Sequence, residues 1–233
     1  MERSLHIPKG SGGVQVTRPW DGARPRGSGP VEEDVILRVH YREPGAAGRL
    51  ASHLGRVVEA VSGVGAATAV LCIGTDRSTG DALGPLVGSH LRRWAPGIAV
   101  YGTLEEPVHA TNLVETLARI AISPPSFVLA VDACLGRAEN VGYVTLRMGP
   151  LRPGTGVRKT LPEVGHAHIV GVVNVGGFME YLVLQNTRLG VVWPMAALIA
   201  SAVARAVPGS GWELGRVAAA AEPDCLPWPE RDP

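Results

Sequence analysis

Ala69-Val-Leu-Cys-Ile-Gly-Thr-Asp-Arg-Ser-Thr-Gly-Asp-Ala-Leu-Gly-Pro85 is the stretch that decides the fold. Five apolar residues are followed by a glycine-rich turn carrying Asp76 and Asp81. Leu83, Leu86, Val87, Leu91 and Trp94 then recur at helical spacing. A buried strand that turns directly into an amphipathic helix is half of a βαβ unit, and α/β proteins bind ligands at the carboxyl ends of their strands. A second apolar run, Phe127-Val-Leu-Ala-Val131, leads to Asp132 and Ala133-Cys-Leu-Gly-Arg137. Two strands therefore deliver a carboxylate to one edge of a sheet, and Asp132, at the end of an apolar strand, is expected to be partly desolvated.

The pattern alternates outward from these turns. Leu50, Leu54, Val57, Val58 and Val61 predict a helix after Pro44-Gly45. Residues 98–103 read as a short strand, 111–122 as a helix stopped by Ser123-Pro-Pro125, and 126–131 as a buried strand. Residues 141–148 alternate and follow the preceding strand too closely for a crossover helix, which predicts an antiparallel or edge position. Residues 168–175 are a further strand, and 178–185 and 191–206 the last helices. The expected fold is a three-layer α/β domain over residues 31–207, its mostly parallel sheet lying between helices. Residues 1–30, rich in Gly, Pro, Arg and Ser, read as a disordered basic tail, and 208–233 as a proline-rich tail whose Trp212, Leu226 and Trp228 can dock on the domain.

Composition narrows the function classes. The 233-residue chain has a formal net charge of +1 with 18% charged residues, which gives no electrostatic reason to expect nucleic acid or an acidic membrane as partner. Three cysteines without paired spacing argue against a disulfide framework or a zinc site. No signal-peptide pattern opens the sequence, and the apolar stretch 191–207 is interrupted by Pro194 and Arg205. A cytoplasmic protein is expected.

Several residues are candidates for chemistry, and each has a plain structural alternative. Asp81 serves equally as a first-turn or capping acid of its helix. Asp76 suits an Asx-turn. His166 and His168, in Gly165-His-Ala-His168, enter a strand on one face, where a histidine is a metal ligand, a proton carrier or a structural group. His109 lies on the same edge, with an N-terminal helix position as its simpler explanation. Cys134 stands two residues beyond Asp132 but lacks a thiol-protease pattern. The turn at 74–85 is neither Walker A nor Gly-x-Gly-x-x-Gly, so nucleotide binding has little support.

Four stretches together resemble the YyaC family of sporulation proteins: Cys72 to Gly88, Tyr101-Gly-Thr-Leu-Glu-Glu-Pro-Val-His-Ala110, Val131-Asp-Ala-Cys-Leu-Gly-Arg137, and Asn174-Val-Gly-Gly-Phe-Met-Glu-Tyr-Leu-Val-Leu-Gln-Asn-Thr-Arg-Leu189. The resemblance runs from about residue 35 to 206. It extends to the spore germination protease and the hydrogenase maturation endopeptidases, and implies their phosphorylase/hydrolase-like α/β fold. Asp81-Ala-Leu-Gly-Pro85 looks like the germination protease's first catalytic aspartate motif and Val131-Asp-Ala133 like its second. Gly74 and Gly84 match the outer glycines of the endopeptidases' metal-binding turn, which implies a divalent ion, nickel or zinc, on Asp81, Asp132 and His168. Thr75 and Gly80 depart from that turn, so on balance no cofactor is required.

The reading reached is a peptidase of a sporulating cell or forespore acting on a protein or peptide, a spore protein by implication. Asp81 and Asp132 would be its acid and base, with Asp76 or His168 tuning them. Its rival is a non-enzymatic sporulation assembly protein on the same fold, in which Arg77 or Arg137 would fill the carboxylate pocket.

Overall fold

The computed structural model describes residues 35–153 and 161–212. The expectations for residues 1–30 and for the chain after Trp212 lie outside them. Six strands form one sheet, β1 (Val35–His40), β2 (Thr68–Cys72), β3 (Ala99–Tyr101), β4 (Phe127–Gly136), β5 (Tyr143–Met148) and β6 (Ala167–Val175), in the order β1-β5-β6-β4-β2-β3. The pairs β6–β4, β4–β2 and β2–β3 are parallel, while β5 runs antiparallel to both its neighbours. The sheet is thus mostly parallel, as the alternation of strands and helices predicts.

Side-chain alternation sends successive residues of β4 to opposite faces. Phe127, Leu129 and Val131 join the larger core with α1 (Ala46–Ser62), α2 (Leu83–Trp94) and α5 (Leu189–Ala206); Val128 and Ala130 join a smaller core under α3 (Leu113–Ile122). The three layers follow from this alternation, since both faces of β4 are apolar and both need covering. By length and composition α5 is apolar enough to cross a membrane, but most of its residues are buried against the sheet and the neighbouring helices.

Three elements differ from the sequence reading. β1 is an edge strand that the periodicity does not announce, because Arg38 interrupts its apolar run and only Val39 is fully buried. β4 does not stop at Val131. β2 ends where Cys72 pairs with Val131, and β4 continues beside β6 alone, with Asp132 opposite Val170. The packed chain also continues past residue 207: the Ser210 hydroxyl donates to the Ala204 carbonyl at 2.8 Å, and Trp212 meets Trp94 edge-to-face at 6.1 Å. This matches the expected docking of Trp212 on the domain.

Candidate active site

The site is built by the turn from β2 to α2 and the first residue of β4 beyond β2's end. The Ile73 amide donates to the Val131 carbonyl at 2.8 Å, the Gly74 amide to Val108 at 2.8 Å, and the Thr75 amide to the Asp81 carbonyl at 3.2 Å. The turn folds back so tightly that a Cβ on Gly74, whose φ is 143°, would stand 1.9 Å from the Asp81 carbonyl oxygen. Gly84 lets α2 lie directly on the strand end, for its Cβ would stand 2.0 Å from the Ile73 carbonyl oxygen. These two close approaches hold Asp81 beside the chain segment that pairs with Val131, next to Asp132.

Asp81 does not cap α2. The helix starts one residue beyond its N-cap, Ala82, which makes no side-chain cap bond, and the first turn contains no acid. Asp81 is partly buried, and burial raises its carboxyl above the usual range, against the pull of the Thr75 amide and of His109. Asp132 is pushed up much further, first by burial and then by the Asp81 charge beside it; the Ala133 amide, donating to Oδ1 at 2.8 Å, opposes this. An ionised Asp81 thus disfavours a second charge on Asp132. Asp132 follows Val128 and Ala130 onto the α3 face, where β4 passes from fully buried at Phe127–Val131 to partly buried from Asp132 to Gly136.

The arginines named as fillers of the pocket do not fill it. Arg77 is exposed; Arg137 is exposed and reaches Glu139 at 4.0 Å. Among the described residues neither Asp81 nor Asp132 has an ion-pair partner.

The remaining candidates fall elsewhere. Asp76 is exposed at the loop tip, and the Thr75 hydroxyl donates to it at 3.4 Å. The turn is braced by that same hydroxyl, which accepts the Arg77 amide at 3.3 Å, so no Asx-turn of Asp76 is needed. His166 is structural: its Nδ1 accepts the Val128 amide at 2.9 Å and its ring stacks on Phe127 at 5.5 Å. His168 shares the face of Asp132 but pairs with Ala130, one pleat further from the edge, and its Nδ1–H donates to the Gly149 carbonyl at 2.8 Å. Among the described residues no three His, Cys, Asp or Glu stand together as a metal site. The set Asp81, Asp132 and His168 implied by resemblance therefore does not fit an ion in this arrangement. The Cys134 thiol, pushed up to about 11 by burial and by Asp132, stays protonated near neutrality and is a poor nucleophile.

Two neighbours complete the surroundings. His109, expected on this edge, is near enough for its charge to act on Asp81, and its ring Nδ1 lies 2.8 Å from the Thr111 hydroxyl. The second is α4 (Glu180–Gln185), which borders the acidic turn: the Gly80 amide donates to the Leu184 carbonyl at 2.9 Å, and Asn174 Nδ2 donates to Thr187 at 3.2 Å. Pairing of Asn174 with Thr187 across a helix is not legible from spacing.

Fold and site together define an α/β protein with two neighbouring carboxyls, both raised, at the carboxyl edge of its sheet. Residues 38–202 match the family described as Protein of unknown function (DUF1256), and the chain belongs to it. It is 57% identical over 133 residues to the Uncharacterized protein YyaC of Bacillus subtilis (strain 168), a match covering 56% of this chain and 65% of that protein. The resemblance read from the four sequence stretches is thereby shown. A looser likeness, with 18% identity and a TM-score of 0.44, links 65% of this chain to 98% of the [NiFe] hydrogenase maturation protease HycI from Thermococcus kodakarensis KOD1.

Proposed function

We propose that the protein is a peptidase in which Asp81 and Asp132 activate water against a peptide carbonyl. The observation that carries the reading is the acid pair itself: two partly buried carboxyls at one strand edge, both raised, one by the other's charge, and neither tied up by a cation among the described residues. The order of proton affinities supports a division of roles. Asp132, raised further, keeps its proton; Asp81, assisted by the Thr75 amide and His109, loses its own first. Asp81 then takes a proton from water as the water oxygen bonds to the carbonyl carbon, while Asp132 gives its proton to the carbonyl oxygen. On collapse the C–N bond breaks, the proton on Asp81 passes to the leaving nitrogen, and the hydroxyl proton of the departing acid returns to Asp132. His168 holds Gly149, and Asp76 stays outside the pair.

A protein or peptide substrate is supported by the apolar surface beside the site. Val175, Phe178, Met179, Tyr181 and Leu182 are all exposed, Phe178 to 88%, around a groove of about 500 Å³ at the end of β6. Clustered apolar exposure of this kind marks protein contact. The same surface favours the second reading, a non-enzymatic assembly protein, and the two separate by activity. The sporulating cell as setting, and a spore protein as substrate, are part of the proposal and rest on the family resemblance.

The test is digestion of a mixed synthetic peptide library by the full chain, read by mass spectrometry. New termini that are absent with Asp81→Asn and Asp132→Asn support the peptidase. An intact library, or cleavage that survives both substitutions, leaves the assembly reading.

A further inference from the structure

We propose that the cleft between β3 and α3 is a subsite for an acidic side chain of the peptide substrate. The assignment deepens the peptidase reading and rests on it. The cleft, of about 380 Å³, is lined by Arg92, Tyr101, Glu106, His109, Asn112 and Arg119 among others. Its volume suits one or two side chains rather than a folded partner.

Most of the polar lining is already committed. Asn112 Oδ1 accepts the His109 amide at 2.8 Å and its Nδ2 donates to the Pro107 carbonyl at 3.0 Å; Thr116 donates to the Asn112 carbonyl at 3.1 Å. Arg92 pairs with Glu106 at 3.3 Å. Arg119, on α3, and the Tyr101 hydroxyl have no such partner among the described residues. With two arginines against one glutamate, the lining carries a surplus cation whose planar donors fit a carboxylate. A neutral side chain would leave that guanidinium to water, and a basic one would be repelled.

The topology connects this cleft to the acid pair. β3 is the neighbour of β2, and Tyr101 belongs to the same face of the sheet as Ala130 and hence Asp132. His109 links the two, lining the cleft while its charge acts on Asp81. Strands lie about 4.8 Å apart and an extended peptide advances about 3.4 Å per residue. A chain running along the edge over the acid pair therefore brings a side chain one or two residues from the scissile bond into the cleft.

The test measures binding by fluorescence anisotropy, separately from cleavage. The Asp132→Asn protein is titrated with fluorescein-labelled alanine-based heptapeptides carrying Glu, Gln or Lys at the first or second position on either side of the central bond. The Glu peptide of at least one position is expected to bind about three- to tenfold more tightly than its Gln counterpart, with Lys weakest, as befits a partly exposed charge pair. Arg119→Gln in that background should erase the difference, and Arg119→Glu should reverse it in favour of Lys. Equal binding of Glu and Gln at every position, no binding of any of them, or a Glu preference that survives Arg119→Glu overturns the subsite. Outcomes for the two proposals are separable. A Glu preference lost with Arg119, in a peptide that the wild-type protein leaves intact, keeps the subsite and removes the peptidase. Library cleavage without charge preference does the reverse.

Discussion

The two faces of the sheet are covered unequally. Beneath α1, α2 and α5 the core is continuous from Phe127 through Leu129 and Val131 to Ile169 and Met195, and it leaves no polar group on β4. On the opposite face α3 covers Leu71, Val128 and Ala130, but not the carboxyl half of β4, where the residues continuing the same row are Asp132 and Cys134. One face supplies stability; the other gives some up by holding a raised carboxyl at a partly buried position. In physical terms the site is the place where β4 outruns both its neighbour β2 and its helical cover.

The largest effect that would break this contrast lies in the covered face. Phe127→Ala removes a fully buried ring that also stacks on His166, and is expected to cost about 3–5 kcal/mol in denaturant unfolding. A loss below about 1 kcal/mol would mean the two faces are not the unequal layers described. On the open face the expectation is inverted: Asp81→Asn or Asp132→Asn should lower cleavage of a library-identified peptide about 10²- to 10⁴-fold while the protein stays folded. Wild-type activity is expected to fall on the acid side as Asp81 gains a proton and on the alkaline side as Asp132 loses one, and rate profiles against pH check the two limbs.

A smaller effect sharpens the comparison from the side of stability. The folded-state pKa of Asp132 is raised, so the native state holds its proton more tightly than the unfolded chain does. No penalty exists below the unfolded value near 3.9; it grows as pH rises through the folded value, where ionisation must occur against burial and Asp81. Asp132→Asn escapes that penalty and should exceed the wild type by on the order of 1 kcal/mol above pH 7, with the gap closing toward pH 4. Thermal melts across this range measure it. The smallest expected change is at the periphery of the covered face, where Trp212→Ala loses the edge-to-face contact with Trp94 and should cost about 1 kcal/mol in the same melts.

How far these features were legible varies with the kind of signal. β2, α2, α1 and β6 carry strong periodicity and lie within a residue or two of their expected limits, because burial on one face writes itself into the spacing. β1 escaped because an edge strand interrupted by Arg38 needs no apolar pattern of its own. The extension of β4 through Asp132 to Gly136 escaped because Asp132, Ala133, Cys134 and Gly136 break the apolar run, leaving only Leu135 large and apolar, and because these residues pair with β6 alone. Asp81 and Asp132 were legible as paired acids after neighbouring strands; the tight return at Gly74 that brings Asp81 to Asp132 was not. His168 was misjudged as a partner of both acids because spacing locates it on the right face but says nothing of the pleat between it and Asp132 or of its bond to Gly149. The role of His109 depends on a loop returning across β2 at Val108, which no local pattern encodes.

The central claim is that Asp81 and Asp132 titrate as a pair. Carboxyl carbon NMR of the full chain labelled at aspartate, followed from pH 3 to 9, tests it directly. The Asp132 resonance should titrate well above the ordinary aspartate range and move down when Asp81→Asn removes the neighbouring charge, while remaining raised by burial. An Asp132 that titrates near the usual 3.9, or whose midpoint is unmoved by Asp81→Asn, would contradict the account.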